Sequence, residues 1–376
     1  MRVLTALTYY YPHWTGLTAF AQRIAEGLAA RGHEITVVTS WYSRDLPREE
    51  MHQGVRIVRV PAWFRLSRGQ VMPGYPLAVW RLLQEHDVVQ LHTPMLEAWL
   101  VGWLAHRAGR RVLMTHHGDL VMPESAWDQV VQRIVGRLLD RGAEEADRIS
   151  IYTTDYVEHS GFLRPHASKV VPILPPVVFP RPNGDPIKWK RELGLDESPL
   201  VGFAGRFVHE KGFDYLLQAI PLVLKALPDA KFVFAGEHHV AYERFYESCR
   251  PLLETYSDHL VMLGLIRDPA RLAQFYAMCD VFCLPSRTDC FASVQVEAML
   301  SGTPVVATDI PGARQVVKLT GMGKLVAPRD PRALAEGIIA VIRDPGAYAR
   351  PRHEIEAVFS VGKAITAYEE LLQSLV

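Results

Sequence analysis

The sequence predicts an α/β protein made of two doubly wound halves, and three observations support this prediction. Short apolar runs alternate with helical patterns along the chain, which indicates parallel sheets covered by helices on both faces. The length of 376 residues suffices for two domains. The alternation is interrupted once, between residues 171 and 186, where six prolines exclude a helix or a central strand.

The elements of each half follow from apolar patterning. Strands are predicted at 2–7, 34–39, 55–60, 88–92, 111–115, 148–152 and 169–173, with a helix at 18–30. After the proline-rich segment they are predicted at 200–205, 231–235, 260–263, 280–284, 304–307 and 324–326, with helices at 213–226 and 360–375. We therefore assign an N-terminal domain to 1–180, a C-terminal domain to 181–355, and a terminal segment, 356–376, whose helix we expect to pack on the N-terminal domain.

Composition excludes several classes of protein. The 41 Lys and Arg balance the 41 Asp and Glu, whereas a general nucleic-acid binder is usually strongly basic, so no nucleic-acid partner is expected. No apolar run reaches the roughly 18 residues of a membrane span, and the N-terminus lacks a signal-peptide core. The four cysteines show neither CxxC nor zinc-finger spacing. We expect reduced thiols, no bound metal and a cytoplasmic location.

One stretch, 51–84, contains no acidic residue but has five arginines together with Trp63, Phe64 and Trp80. Tryptophan and arginine together suit a membrane–water interface or an anionic acceptor. The alternative is a strand at 55–60 followed by a solvated loop whose aromatic residues fill a core. Peripheral association with the inner face of a membrane follows from the first interpretation alone, and both stay open.

A first chemical motif is GFAGRFVHEKGFD, residues 202–214. Arg206 leaves the carboxyl end of a predicted strand, and Lys211 precedes Gly212 at the start of a helix. Two cations beside helix-start amides can bind a diphosphate. The spacing is not that of a Walker A loop. The alternative is a pair of surface charges on an ordinary strand–helix loop.

A second motif runs from Ser286 to Gly312. Asp289 falls in a strand-end loop, and Glu297 lies eight residues later in a helix that Ser293 is expected to cap. Carboxylates beside a phosphate site suit recognition of ribose or hexose hydroxyls, while the helix-start amides would face the anion. The alternative is a helix charge and an unrelated loop acid. Cys290 lies between these residues without an evident base, so we interpret it as a wall residue.

These motifs make a resemblance specific. GRFVHEKG, followed about 80 residues later by DCFASVQVEAMLSGTPVVA, resembles the retaining nucleotide-sugar glycosyltransferases of family 4. The resemblance extends over the whole chain, including YYPHWTG at 10–16 and THHGD at 115–119. It implies the GT-B fold, in which two Rossmann-like domains face a deep cleft.

The resemblance also implies roles for the C-terminal motifs. Arg206 and Lys211 would hold the donor diphosphate and stabilise the departing nucleoside diphosphate. Glu297 would bind the ribose. Asp289 would contact the donor sugar, although it is one methylene shorter than the glutamate usual in the family. The backbone at Phe291, Ala292 and Ser293 would touch the sugar or phosphate, and the base would lie near Leu265.

In the N-terminal half the resemblance places Gly16 near the donor phosphate, with Leu17 where the family often has a second glycine. His117 would lie near the reaction centre, beside His116 and Asp119. These residues sit at a predicted strand end and form a plausible polar cluster on their own account.

The predicted function is retaining transfer of a hexose from a nucleotide diphosphate sugar to an acceptor hydroxyl. The expected acceptor is a glycan or a lipid-linked molecule of the cell envelope, and no metal cofactor is expected. Two alternatives remain: a non-hydrolysing nucleotide-sugar epimerase of the same architecture, and a non-catalytic protein that binds a sugar nucleotide.

Overall fold

The computed structural model describes residues 1–66, 69–119, 126–238, 240 and 243–376. The chain divides into two compact units. Unit 1 comprises Met1–Pro176 and Ser360–Val376, and unit 2 comprises Val177–Phe359. The division falls within the proline-rich segment, four residues before the expected boundary at 180. The terminal segment joins unit 1 from residue 360 rather than 356.

Unit 1 contains a sheet of eight strands in the order β10-β9-β8-β7-β1-β2-β4-β3 and a separate hairpin of β5 and β6. Its strands are β1 (Arg2–Ala6), β2 (Glu34–Trp41), β3 (Glu49–His52), β4 (Val55–Pro61), β5 (Phe64–Leu66), β6 (Gly69–Val71), β7 (Val88–Thr93), β8 (Arg111–His116), β9 (Arg148–Ile151) and β10 (Val170–Pro172). Its helices are α1 (Gly16–Ala30), α2 (Tyr75–Leu83), α3 (Ala98–Arg107), α4 (Ala126–Glu145), α5 (Thr154–His159) and, at the end of the chain, α16 (Val361–Gln373).

The sheet of unit 1 is parallel except at one edge, where β3 pairs antiparallel with β4. Its central strand β7 is buried at every position, as expected for a parallel strand covered on both faces. The chain winds outward in both directions from β1 and β7, which are neighbours. The loops that follow these two strands therefore leave the sheet at the same edge.

The structure changes the interpretation of residues 51–84. A solvated loop after the strand was one expectation, and it is wrong, because a hairpin and helix α2 occupy most of this region. The three-residue strands of the hairpin are too short to show an alternating pattern. Arg68 lies outside the described residues.

Two arginines of the acid-free stretch pair with acidic residues on either side of it. Arg56 forms ion pairs with Glu49 at 3.2 Å and Glu85 at 3.4 Å. Arg59 has a buried side chain and pairs with Glu50 at 2.5 Å. Two of the five arginines therefore form ion pairs within unit 1. This weakens the argument from charge alone that the stretch binds an anionic membrane surface or an anionic acceptor.

Helix α16 packs on α1 within unit 1. A Cβ atom at Gly27 would lie 2.1 Å from the Ile365 side chain, so the two helices approach closely at this glycine. The Tyr368 hydroxyl donates to Ser150 Oγ at 3.0 Å, and its ring meets that of Phe20 edge-on. The end of the chain thus supports the helix that follows the first loop.

Unit 2 contains a six-stranded parallel sheet in the order β13-β12-β11-β14-β15-β16. Its strands are β11 (Leu200–Ala204), β12 (Lys231–Ala235), β13 (Leu260–Gly264), β14 (Val281–Leu284), β15 (Val305–Thr308) and β16 (Gly323–Val326). Its helices are α6 (Pro186–Glu192), α7 (Phe213–Ala226), α8 (Phe245–Ser248), α9 (Arg250–Thr255), α10 (Pro269–Met278), α11 (Ser293–Leu300), α12 (Arg314–Thr320), α13 (Pro331–Arg343), α14 (Pro345–Tyr348) and α15 (Arg352–Val358).

The strand order of unit 2 reverses between β11 and β14. In open parallel sheets, ligands bind outside the carboxyl ends of the strands at such a switch point. Both C-terminal sequence motifs begin at these two strand ends. In the part of the chain that the structure describes, no helix is long and apolar enough to cross a membrane.

Candidate active site

The switch point of unit 2 brings together the charged residues of the two C-terminal motifs. Strand β11 ends at Ala204, and Gly205 follows with φ at +144°, a conformation that favours glycine. A Cβ atom added at Gly205 would meet no atom within 4 Å, so the space above this strand end is open. Arg206 and Lys211 follow in the same loop, and Asp289 lies in the loop after β14.

The Lys211 ammonium donates to the Asp289 carboxylate at 2.6 Å. Both side chains are largely buried, with 19% and 10% of their surfaces exposed. Burial opposes the charge on Lys211, but the carboxylates of Asp289 and Glu210 prevail and raise the pKa of Lys211. Lys211 therefore stays cationic across the neutral range.

Arg206 forms an ion pair with Glu210, four residues further along the chain, at 3.0 Å. Its side chain is 41% exposed, so this guanidinium reaches solvent at the open end of the strand. The sequence analysis did not single out Glu210. Its position between the two cations is visible in GRFVHEKG, and its carboxylate partly balances both of them.

The loop that carries Asp289 is fixed against its neighbour. Asp289 forms a parallel bridge with Gly312, which has φ at +81°. A Cβ atom at Gly312 would lie 2.4 Å from the carbonyl oxygen of Cys290, so only glycine allows the two loops to pair this closely. Burial and the Asp289 charge raise the pKa of the Cys290 thiol, which agrees with a wall residue rather than a nucleophile.

The start of helix α11 corrects one expectation. Ser293 is not the N-cap but the first helical residue, and Ala292 is the cap, with no side-chain hydrogen bond. Ala292 and Phe291 are buried, and the Phe291 ring meets Phe359 edge-on. The helix therefore begins one residue earlier than a serine cap would require, and the backbone rather than a capping hydroxyl defines its amino end.

Glu297 lies on α11 with a partner that the sequence analysis missed. The hydroxyl of the buried Tyr276, on α10, donates to Glu297 Oε2 at 3.1 Å. Burial and the adjacent carboxylate raise the pKa of Tyr276 far above its usual value, so the phenol keeps its proton. The sequence offered no signal for this pair, because the two residues lie on different helices.

In unit 1, His117 follows β8 and bonds through both ring nitrogens. Its Nε2 lies 2.9 Å from Nδ1 of the buried His92, and its Nδ1 contacts the Tyr152 hydroxyl. Burial first, then the neighbouring His92 and His116, keep the pKa of His117 well below its usual value. The ring is a neutral, oriented group, and in this arrangement both nitrogens are engaged by the protein.

The other two residues of the predicted cluster form a separate network. His116 Nε2 lies 3.2 Å from Asp119 Oδ1, and Ser160 Oγ is 2.8 Å from both carboxylate oxygens of Asp119. Burial alone would raise the pKa of Asp119, but the hydrogen bonds from His116 and Ser160 prevail and lower it. This network orders the segment after β8, whereas the His117 ring meets Phe20 of α1 edge-on.

Gly16 begins α1, directly after Thr15, which caps the helix through a reciprocal bond with Thr18. A Cβ atom added at Gly16 would meet no protein atom within 4 Å. The fold itself therefore does not require glycine here. In unit 2, Leu265 is exposed directly after β13, and its place near the base stays a prediction.

The site of unit 2 can neutralise a diphosphate with two cations and accept hydroxyl hydrogen bonds with two carboxylates. Among the described residues, no group of three His, Cys, Asp or Glu side chains could hold a metal ion. That transfer needs no metal ion stays a prediction. The chemistry of these residues is thus anion and hydroxyl recognition at the carboxyl edge of an open sheet.

This fold and site define a class of protein, the GT-B glycosyltransferases. Residues 185–357 match the family described as glycosyl transferases group 1, and residues 15–176 match the glycosyl transferase 4-like domain. The structure is similar to that of Anabaena HepE in complex with UDP and glucose, with a TM-score of 0.79, 21% identity and full coverage of both chains.

Curated relatives agree with this class. A D-inositol 3-phosphate glycosyltransferase of Geodermatophilus obscurus is 31% identical, over 87% of this chain and 77% of its own. A GDP-mannose-dependent phosphatidylinositol monomannoside mannosyltransferase of Mycolicibacterium smegmatis is 28% identical, over 89% and 87%. The chain belongs to the family 4 type glycosyltransferases, as the resemblance indicated.

Proposed function

We propose that this enzyme transfers a hexose from a nucleotide diphosphate sugar to an acceptor hydroxyl with retention of anomeric configuration. The observation that supports the proposal most is the meeting of Lys211 and Asp289 at the switch point of unit 2, with Arg206 and Glu297 on the same two motifs. Cations and hydroxyl-binding carboxylates at one strand edge are the groups that a sugar nucleotide requires.

Arg206 and Lys211 would neutralise the charge that develops on the departing nucleoside diphosphate. This electrostatic stabilisation takes the place of a divalent ion, so transfer proceeds without added metal. Glu297, oriented by Tyr276, would accept hydrogen bonds from the ribose. Asp289 would bind the sugar hydroxyls with the oxygen that Lys211 does not occupy.

Retention follows if the acceptor attacks the same face from which the diphosphate departs. The leaving phosphate oxygen then accepts the acceptor proton, and the oxocarbenium-like centre is short-lived. Neutral His117 would support this centre by position rather than by proton transfer. Gly16 would permit close approach of the donor phosphate, since no protein atom fills the space beside it.

The acceptor side is proposed to be a glycan or a lipid-linked molecule held by unit 1. Gln70, on the hairpin of β5 and β6, donates to Tyr9 of the first loop at 3.0 Å, so the hairpin lies against that loop. On the hairpin arm, Trp63 is 74% and Phe64 56% exposed. Exposed aromatic residues beside Arg65 suit a lipid headgroup region and support peripheral association with a membrane.

A thermal-shift screen tests the donor. GDP-mannose is the first probe, because relatives are named for it, followed by UDP-glucose and ADP-glucose. A ligand at 100 times its dissociation constant should add about 2.7 kcal/mol of stability. Protection by a sugar nucleotide, followed by transfer to an acceptor in the presence of EDTA, supports the proposal. No protection by any of them contradicts it.

Proton NMR of the product separates the alternatives. A retained anomeric configuration in a new glycoside supports a retaining transferase. Conversion of the sugar nucleotide itself without acceptor indicates an epimerase. Binding without any turnover across glycan and lipid-linked acceptors indicates a non-catalytic protein.

Flotation with anionic liposomes tests membrane association. Trp63→Ala and Arg65→Glu should each reduce the bound fraction, whereas the exposed Arg191→Glu of unit 2 should not. Equal binding by all four proteins, or none by the wild type, removes the basis for this part of the proposal.

A further inference from the structure

Arg287 lies two residues before Asp289 in the loop after β14 and makes several directed contacts. Its guanidinium donates to both carboxylate oxygens of Asp214, at 2.8 Å and 2.6 Å. The same group lies 4.2 Å above the ring centre of Tyr215 and donates to the carbonyl oxygen of His209 at 2.7 Å. Its side chain is 11% exposed.

These contacts are made to residues on both sides of Lys211 in the sequence. His209 comes two residues before Lys211, and Asp214 comes three residues after it, in the first turn of α7. The backbone N–H of Arg287 also donates to the carbonyl oxygen of Glu210 at 2.8 Å. One residue of the Asp289 loop therefore holds both ends of the segment that carries Lys211.

The segment has little order of its own. His209–Lys211 is a single 3₁₀ turn, and such turns are weak elements. Gly212 follows with φ at +64°, and a Cβ atom there would lie 1.9 Å from the carbonyl oxygen of Pro285. The two loops are thus in backbone contact at Gly212, and Arg287 adds the side-chain contacts that fix the turn.

We propose that Arg287 is a positioning residue, which holds the Lys211 segment at a fixed distance from Asp289. This inference rests on the proposed function, because it assigns the geometry of the same donor site. Lys211 would contact the diphosphate, and Asp289 would contact the sugar. The distance between these two residues therefore sets where the sugar–phosphate bond that breaks lies relative to the positive charge that stabilises the leaving group. Arg287 itself touches neither part of the donor.

Lysine cannot replace Arg287 in this role. A guanidinium is planar and presents five N–H donors, which suffice for a bidentate carboxylate, a carbonyl oxygen and an aromatic face at once. An ammonium on a flexible stem would keep the charge but not the orientation. The conservative variant therefore distinguishes positioning from simple charge balance.

Steady-state kinetics with the donor identified by the screen, and titration with its free nucleoside diphosphate, test the proposal. We expect Arg287→Ala and Arg287→Lys to lower kcat by about 100-fold, the cost of misplacing a catalytic group by about 1 Å. The affinity for the nucleoside diphosphate should change much less, because Lys211 is still present. Asp214→Asn should have an effect in the same direction, and added guanidinium should partly restore Arg287→Ala.

Arg352→Ala is the matched control. Arg352, also in unit 2 and largely buried, donates to the carbonyl oxygens of Leu300 and Phe179. Its loss should lower the melting temperature without lowering kcat in the folded enzyme. Wild-type kcat in Arg287→Lys, or an equal loss of kcat in Arg352→Ala at matched melting temperature, overturns the proposal.

Amide hydrogen exchange gives a readout that does not depend on transfer. Residues 208–212 should exchange faster in Arg287→Ala than in the wild type, while those of β12 should not change. If the wild type transfers no sugar but the exchange result holds, the proposed function fails and the structural role of Arg287 stands. Unchanged exchange at 208–212 contradicts the role itself.

Discussion

Lys211 and Asp289 lie 2.6 Å apart, ammonium to carboxylate, across the point where the strand order of unit 2 reverses. They are 78 residues apart in the chain and belong to different sequence motifs. The two side chains neutralise each other. A donor must therefore join an existing ion pair, and a change in one residue alters the charge and position of the other.

Replacement of Lys211 tests the cationic half of this pair. Lys211→Ala removes a buried positive charge from the position proposed for the leaving diphosphate. We expect kcat to fall by about 100-fold to 1,000-fold, the usual cost of losing one group that stabilises developing charge. Initial rates at saturating donor measure the effect.

Lys225→Ala, at the exposed far end of the helix α7 that follows Lys211, is the control for Lys211. It should keep wild-type kcat and nearly the same melting temperature. Near-normal turnover in Lys211→Ala would contradict the assigned role, provided that its thermal unfolding resembles that of the control.

Replacement of Asp289 should change the pH dependence of transfer. The wild-type carboxylate helps to raise the pKa of Lys211 against the effect of burial. In Asp289→Asn the effect of burial on Lys211 is less opposed, so the pKa of Lys211 falls. As the pH rises, the variant therefore loses the charge on Lys211 earlier than the wild type does. The alkaline limb of kcat/KM should therefore shift to lower pH than in the wild type.

A pH–rate series for wild type, Asp289→Asn and Asp289→Glu measures this shift. Asp289→Glu keeps the charge and should keep the wild-type alkaline limb, even if its longer side chain changes KM. An alkaline limb that is identical in all three proteins would show that Asp289 does not control the charge of Lys211.

Tyr276→Phe tests the pair that the sequence analysis missed. It removes the hydroxyl that orients Glu297 and leaves the ring in place. The loss of one hydrogen bond to a charged group, about 1.5–3 kcal/mol, should weaken binding of the nucleoside diphosphate by about tenfold or more. Calorimetric titration with the nucleoside diphosphate of the donor measures this affinity.

Tyr368→Phe is the matched control, since this buried hydroxyl donates to Ser150 in unit 1. Both variants should lose some stability, but only Tyr276→Phe should lose nucleotide affinity. Equal affinities in the two variants would indicate that the Tyr276 hydroxyl serves the fold rather than the ribose site.

The fold was more predictable from sequence than the details of its site. Helix α7 has the bounds that apolar patterning predicted, because strands and helices buried on one or both faces leave a strong periodic signal. The edge strand β3 and the hairpin of β5 and β6 were missed, since short, partly exposed strands have little apolar pattern.

The candidate site divides in the same way. Arg206, Lys211, Asp289 and Glu297 could be named as candidates, because they lie within two continuous motifs of the sequence. The residues that orient these side chains could not be named from the sequence. Tyr276 and Arg287 act through contacts between elements far apart in the chain, and such contacts follow from packing rather than from spacing. Ser293 failed as a cap for a related reason, since cap geometry depends on the incoming loop.

The histidine pair of unit 1 leads to the last prediction. Burial lowers the pKa of His92 to about 3 and keeps that of His117 well below its usual value. In the unfolded chain both imidazole rings are in water and can take up a proton. The unfolded state therefore binds more protons below its own pKa of about 6.5. The free energy of unfolding of unit 1 should then fall on acidification, by up to about 1.4 kcal/mol per pH unit for each histidine.

Urea unfolding at several pH values between about pH 7 and pH 5 measures this slope. Hydrogen exchange of the amides in β7 and β8 is the probe of unfolding in unit 1. His92→Asn keeps a donor near the Nδ1 position and removes one titrating ring, so its slope should be shallower. His353→Asn, which removes an exposed histidine of unit 2, is the comparison variant. A wild-type slope of zero would mean that these rings take up protons equally in the native and unfolded states, and His117 could then donate a proton during transfer, contrary to the neutral role proposed for it.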